Sequence, residues 1–195
     1  YVPAVADVMG GRDWPTITHA QWVDVSARST IPSAPAVRVA PSLGAVITLD
    51  IGNDKVGFSA NKALVYLPPQ YFSNPTQRFP VVYLLHGSPG MPVDWLRGGG
   101  AAHAGYLAAK AGNPQILVMP HLSRDWLDDS ECVDGAHTLV ETYVVHDLVP
   151  GIDAQLRTQP DRAHRAVAGM SAGGYCALNL GLRHRDLFGV IVDMS

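Results

Sequence analysis

Apolar residues in this chain fall into short continuous runs separated by amphipathic stretches, and the alternation of the two predicts an α/β fold. Val81-Val82-Tyr83-Leu84-Leu85 is almost wholly apolar, the pattern of a strand covered on both faces. Ile116-Leu117-Val118-Met119, Ala166-Val167-Ala168 and Val190-Ile191-Val192 repeat it, each parted from the next by a stretch able to form a helix. The predicted order is βαβαβαβ, which requires a mostly parallel sheet with helices on both faces. Ahead of it, Ala45–Asp50 and Ala63–Leu67 read as two strands turning through Gly52-Asn53-Asp54-Lys55, an antiparallel entry hairpin closed by Pro68-Pro69.

The connecting helices have their own signatures. Ala101 to Ala111 is Ala-rich and stops at Gly112-Asn113-Pro114. In the next, Val140, Val144, Leu148, Ile152 and Leu156 recur at four-residue spacing, a stripe that should pack on the sheet, while Pro150 predicts a kink or a break within it. A third helix runs from the turn at Gly169 to about His184, with Leu178 and Leu182 on one face. Residues 1–43 are rich in Pro, Ser and Ala without a sustained period, and read as an extended arm over the body, pinned by Trp14, Ile17 and Trp22. Residues 44–195 form the body.

Composition narrows the picture only slightly. A hydrophobic content of 47% in 195 residues is that of one packed domain, and a net charge of −3 gives no electrostatic reason for a nucleic-acid or anionic-membrane partner. No run of about twenty apolar residues is present to span a membrane. Tyr1-Val2-Pro3-Ala4 carries neither an initiator Met nor a signal-peptide pattern, so a targeting segment is expected to have been removed or to lie upstream. Cys132 and Cys176 are either one disulfide or two buried thiols; spacing alone leaves both open.

The candidate chemistry sits at Gly169-Met170-Ser171-Ala172-Gly173. A hydroxyl is a weak nucleophile, and an enzyme must present it openly, near a base and beside donors for the oxyanion. Gly-x-Ser-x-Gly meets the first need where a strand leads in and a helix leads out, because side chains at the flanking positions would strike neighbouring backbone. Here Arg165-Ala166-Val167-Ala168 leads in and Ala172 to Leu178 leads out as a helix, which makes Gly169 and Gly173 the elbow glycines. The other reading is a Gly-rich turn with a helix-capping Ser. His86-Gly87-Ser88-Pro89-Gly90 follows the first buried strand, where an oxyanion loop belongs. The backbone N–H groups of Ala172 and Ser88 are then the two oxyanion donors, against the alternative of a tight turn in which His86 is structural.

Together these residues resemble the esterase family of the α/β-hydrolase fold that includes esterase D, feruloyl esterases and the antigen 85 mycolyltransferases. The resemblance runs from about Ala63 to Ser195. It rests on Val65-Tyr66-Leu67-Pro68-Pro69, Tyr83-Leu84-Leu85-His86-Gly87, Asp94-Trp95, Glu141-Thr142-Tyr143 with Asp147-Leu148-Val149-Pro150, and Gly169 to Gly174. It implies Ser171 as nucleophile, a structural role for Glu141, and an active-site rim at the acidic loop of Asp125, Asp128, Asp129, Glu131 and Asp134, whose carboxylates individually read as solvated. It also brings Cys132 of that loop near Cys176 of the nucleophile helix and so favours a disulfide and an extracytoplasmic location, secreted or membrane-tethered through a segment outside this chain.

In this fold the triad follows the order Ser, then Asp or Glu, then His. His184, Asp186 and Asp193, the candidates after Ser171, are poorly placed for those roles. The expectation is therefore the N-terminal two-thirds of a single domain, its sheet cut after the sixth strand, with acid and histidine beyond this chain and missing polypeptide or a second chain covering the last strand. Alone it should not turn over. His121, after a strand on the catalytic side, is the one internal histidine to test as base. No cofactor and no metal are expected, since no His-Glu-x-x-His pattern occurs and the acidic loop does not match a Ca²⁺ loop. The expected function is hydrolysis or transfer of an acyl group from a small or lipid-like ester through a Ser171 acyl-enzyme. A non-catalytic binding protein on the same scaffold is the alternative, and among enzymes a peptidase ranks below the esterase.

Overall fold

In a computed structural model, residues 42–52, 54–58, 62–125 and 127–195 are described, together with the backbone of Thr16–Ile17. The elements in chain order are β1 (Thr16–Ile17), β2 (Ala45–Asp50), β3 (Lys62–Leu67), α1 (Pro69–Ser73), β4 (Val81–Leu85), α2 (Asp94–Arg97), α3 (Ala101–Lys110), β5 (Ile116–Pro120), α4 (140–155), β6 (Arg165–Met170), α5 (Ala172–Arg183) and β7 (Val190–Met194). Most of the arm at 1–43 lies outside the described residues, Trp14 and Trp22 included. The exceptions are residues 42–43 and β1, a two-residue strand that the sequence pattern did not predict and that pairs parallel to β2.

The strands order β1-β2-β3-β5-β4-β6-β7. β2 and β3 form the expected antiparallel hairpin, in register from Ala45↔Leu67 to Asp50↔Lys62. β3 runs antiparallel to β5, whereas β5, β4, β6 and β7 are mutually parallel. The parallel half needs crossovers, and α3, α4 and α5 supply them.

Strand alternation divides the buried side chains between two faces. Val81, Tyr83 and Leu85 join Val118, Val167 and the α4 residues Val140, Val144, Leu148 and Ile152 in the larger cluster. Leu84, Leu117, Met119 and Ala168 turn the other way, onto Ala101 and Ala102 of α3, with Val82 packed against them. This is why the strands read as unbroken apolar runs: both faces are covered.

The α4 stripe is buried along its whole length, from Val140 to Leu156. Of the kink or break expected at Pro150, the break is not formed. The chain stays helical through it, with a π-helical stretch at Tyr143–Leu148 directly before. Proline lacks the N–H of an α-helical bond and its ring crowds the preceding turn; a widened turn relieves both. On α5, Cys176, Ala177 and Leu180 face the core, while Leu178 and Leu182 lie exposed on the opposite side with Tyr175. β7 is the outermost strand among the described residues, and Val190, Val192 and Met194 on it are exposed.

One buried ion pair fixes the strand that leads to Ser171. Arg165, at the start of β6 and 3% exposed, donates through Nη2 to Asp153 Oδ2 of α4 at 2.5 Å and to the Pro160 carbonyl at 3.1 Å. A buried cation is tolerated only when so partnered.

Because Leu148 is fully buried at the centre of the α4 stripe, Leu148→Ala should destabilise the fold by about 2–5 kcal/mol. Leu182→Ala on the exposed face of α5 should cost under about 1 kcal/mol. Urea unfolding followed by circular dichroism distinguishes the two.

Candidate active site

The corner between β6 and α5 is possible only because two of its residues lack side chains. A Cβ at Gly169 would overlap the carbonyl of Gly173, and one at Gly173 would overlap the carbonyls of Leu85 and His86 at the end of β4. With those clashes absent, β6 passes into α5 through a single residue, Ser171, held at φ 55° and ψ −126°. A non-glycine residue there is strained, and such strain is retained where surrounding structure over-determines it. The Ser171 carbonyl accepts the amides of Gly174 (2.7 Å) and Tyr175 (3.2 Å), and its own N–H donates to Met194 O of β7 at 3.3 Å.

The loop after β4 lies against this corner. A Cβ at Gly87 would stand 3.1 Å from the Met170 carbonyl oxygen and 3.4 Å from Ser171 Cβ. The Ala172 N–H is an orphan donor at the α5 N-terminus. Among the described residues, the Ser88 N–H has no intramolecular acceptor. Ser88 and Ala172 border one small hollow with His86, Gly87, Leu122, Ser123, Asp128, Asp129, Ser130, Cys132 and Cys176. Ser88 and Ala172 are thus brought together with Asp128 and Asp129 of the acidic rim, while Asp125, Glu131 and Asp134 do not border the hollow.

The rim is pinned at several points. Cys132 and Cys176 form a disulfide with Cα atoms 5.0 Å apart, joining the rim to the second turn of α5. Ser88 Oγ donates to Leu127 O at 3.1 Å, and Asn179 Nδ2 donates to Glu131 O at 3.2 Å. Within the rim, Asp128 pairs with Arg124 at 3.0 Å, whose hydrogen bond lowers its pKa against a smaller opposing effect of burial. Asp134 accepts the Thr142 hydroxyl at 2.6 Å, at the start of α4.

The histidines divide clearly. His86 spans the loops after β4 and β5: its Nδ1 meets Gly87 O at 2.9 Å, and its Nε2 accepts the Leu122 amide at 3.3 Å. Burial pushes its pKa down, and that of neighbouring His121 too, whose ring centre is 6.1 Å away. His121 makes no hydrogen bond to Ser171 among the described residues. His184 lies at the far end of α5 from Ser171, roughly 18 Å along the axis at 1.5 Å per residue, with Nε2 2.7 Å from Glu141 Oε1. Arg183 Nε donates to the same oxygen at 2.8 Å. Glu141 therefore ties the start of α4 to the end of α5. Asp193, paired with Gly169 across β6 and β7, accepts the Ser195 hydroxyl at 2.7 Å. The bracket made by His86 was the feature least visible in sequence; the His-Gly pair after a buried strand marked the place but not the bonds.

A mixed sheet with a parallel half, a Gly-x-Ser-x-Gly corner between strand and helix, and a His-Gly loop from the neighbouring strand define a protein of the α/β-hydrolase type. The chain belongs to the esterase family described as "Putative esterase", which matches residues 59–195. It is 28% identical over 183 residues to an uncharacterised protein of Corynebacterium glutamicum, covering 93% of this chain and 43% of that one. It is 32% identical over 133 residues to an endo-1,4-beta-xylanase/feruloyl esterase of Xylanibacter ruminicola, covering 65% of this chain and 18% of the relative. Among solved structures, a ferulic acid esterase superposes with a TM-score of 0.61 at 32% identity, over 65% of this chain and 49% of that one. The chain spans less than half the length of these relatives.

Two stability measurements follow. The disulfide closes 44 residues of chain, so its reduction should cost about 4 kcal/mol on the loop-entropy account, read as a shift of the urea midpoint with and without reductant. For Glu141, partial burial raises the pKa, but hydrogen bonds from Arg183 and His184 outweigh it and leave the carboxyl below its ordinary value. A depressed carboxylate stabilises the fold above its unfolded pKa of about 4.3, and that contribution disappears as pH falls through the folded value. Melting temperature should drop less between pH 5 and pH 3 in Glu141→Gln than in wild type.

Proposed function

We propose that the chain carries the nucleophile and oxyanion donors of a serine carboxylic-ester hydrolase or acyltransferase, acting through a Ser171 acyl-enzyme. The observation that carries this reading is the strained Ser171 corner with the Gly87-Ser88 loop packed against it. A serine held at positive φ on an exposed strand-to-helix corner, at the α5 N-terminus and against Gly87, has the presentation that a nucleophile needs.

Ser171 Oγ attacks the ester carbonyl carbon while its proton passes to a general base. Negative charge develops on the carbonyl oxygen, and the Ala172 and Ser88 N–H groups receive it. The intermediate collapses by breaking the bond to the alcohol oxygen, which takes the proton from the base and leaves. Water, or a second alcohol in a transferase, then attacks the acyl carbon and frees Ser171 by the reverse proton path. No histidine among the described residues is hydrogen-bonded to Ser171, and the chain order of this fold places acid and histidine after the nucleophile helix. The reading therefore takes both from polypeptide outside this chain. The substrate is a small or lipid-like ester, with feruloyl esters first among those to try because two relatives are named for them. The Cys132–Cys176 bridge fits an oxidising, extracytoplasmic compartment.

A fluorophosphonate probe tests the reading. The complete protein, including the polypeptide that supplies the acid and histidine, should be labelled on Ser171, located by peptide mass spectrometry, and its Ser171→Ala variant should take no label while keeping its circular dichroism spectrum. A folded complete protein that remains unlabelled would instead be a binding protein on the same scaffold.

A further inference from the structure

We infer that His86 is a positioning residue that aims the Ser88 N–H at the oxyanion, and that it does so only as the neutral tautomer protonated on Nδ1. The inference rests on the function proposed above and adds a residue to it.

The tautomer follows from the partners. A carbonyl oxygen can only accept, so the Nδ1 that lies 2.9 Å from Gly87 O must carry the proton. An amide N–H can only donate, so the Nε2 that receives the Leu122 amide at 3.3 Å must be bare. Neither the other tautomer nor the imidazolium satisfies both contacts.

The consequence for Ser88 is geometric. Gly87 C=O and Ser88 N–H belong to one planar peptide unit in which the two bonds point in opposite directions. A grip on the Gly87 oxygen therefore fixes the direction of the Ser88 hydrogen. That hydrogen has no acceptor of its own among the described residues, so nothing else at the amide sets its aim. The Leu122 bond holds the other end of the ring to the segment after β5, so the imidazole joins two loops that share no strand pairing of their own. The Ser88 hydroxyl bond to Leu127 O adds a second tie between the same loops.

Protonation at Nε2 would set two N–H groups face to face at Leu122 and break the bracket. The surroundings favour the neutral ring. Burial dominates, set against the bond to Gly87 O and the Asp94 carboxylate, both of which favour the cation; His121 across the ring is a second basic group, and Asp128 and Asp129 border the same hollow. The α5 residues at the hollow, Ala172 and Cys176, are uncharged. With a folded pKa below about 6.5, the bracket is intact above that pH and is lost as pH falls through the lower value.

Two substitutions separate the ends of the ring. His86→Asn keeps a side-chain N–H near the position of Nδ1, and His86→Gln keeps a carbonyl oxygen near that of Nε2. In the complete protein, which carries the acid and histidine, turnover of a p-nitrophenyl ester by His86→Gln should lose at least about tenfold more kcat than by His86→Asn, within the ~10²–10³ range of one missing oxyanion donor, while KM changes by less than about threefold. Equal losses, or a loss confined to KM, overturn the inference. A long-range ¹H–¹⁵N spectrum of the wild-type protein supplies a readout independent of turnover. At pH 7.5 it should show His86 protonated on Nδ1, and the Leu122 amide should shift as His86 titrates below pH 6.5; an Nε2–H tautomer overturns the inference even if both variants misfold. Failure of the complete wild-type protein to take the fluorophosphonate sinks the proposed function, whereas the His86 spectrum would still report whether the bracket exists.

Discussion

The close approach of α5 to the end of β4 is the constraint from which the rest of the site follows. Gly173 packs on the carbonyls of Leu85 and His86, and Gly169 packs on Gly173 itself, at separations no Cβ would survive. That contact forces the turn from β6 into α5 through one residue, and it brings the α5 N-terminus beside the loop that leaves β4. Had either position carried a methyl group, the helix would have to lift away from the sheet, and Ser171, Ala172 and Ser88 would no longer share a corner. The sheet order matters for the same reason: β4 and β6 are neighbours, so two loops far apart in sequence emerge side by side.

Around this corner the protein spends its specific bonds on holding loops rather than on the sheet. The Cys132–Cys176 bridge, the Ser88 and Asn179 hydrogen bonds and the His86 bracket all run between loops, or from a loop to α5. The core relies mainly on alternating strand residues buried against helices on both faces, with the Arg165–Asp153 pair as a directional tie between β6 and α4. A loop has little apolar surface to bury, so directional bonds must offset the entropy of ordering it. Positive φ at Glu131 and Cys132 marks the same economy. The rim is bent into an unfavourable conformation at the point where the disulfide and Asn179 secure it.

The apolar runs and the Gly-x-Ser-x-Gly turn were enough to read the parallel strands, the crossover helices and the elbow, since each depends on local periodicity or on a residue type that only one conformation demands. The α4 stripe illustrates the strength of that signal, with all five residues buried as their spacing required. Pro150 illustrates its limit. A local rule predicts a kink or a break, yet with Ile152 buried beyond it the chain stays helical to Gln155 and a widened turn absorbs the misfit. The pairing of β1 with β2 was likewise invisible, because two residues carry no period.

What the sequence by itself determined was the alternation of buried strands and helices, the serine on its corner and the place of the His-Gly loop, all of which depend on neighbours a few residues away. Tertiary structure alone decided which distant side chains tie the loops and helix ends together. His86 meets Leu122 across 36 positions and Glu141 meets His184 across 43, while the Cys132–Cys176 bridge across 44 was left open by spacing and suggested only by the family resemblance. Such contacts follow from the order in which strands lie in the sheet, a property of how the whole chain packs that no local pattern encodes.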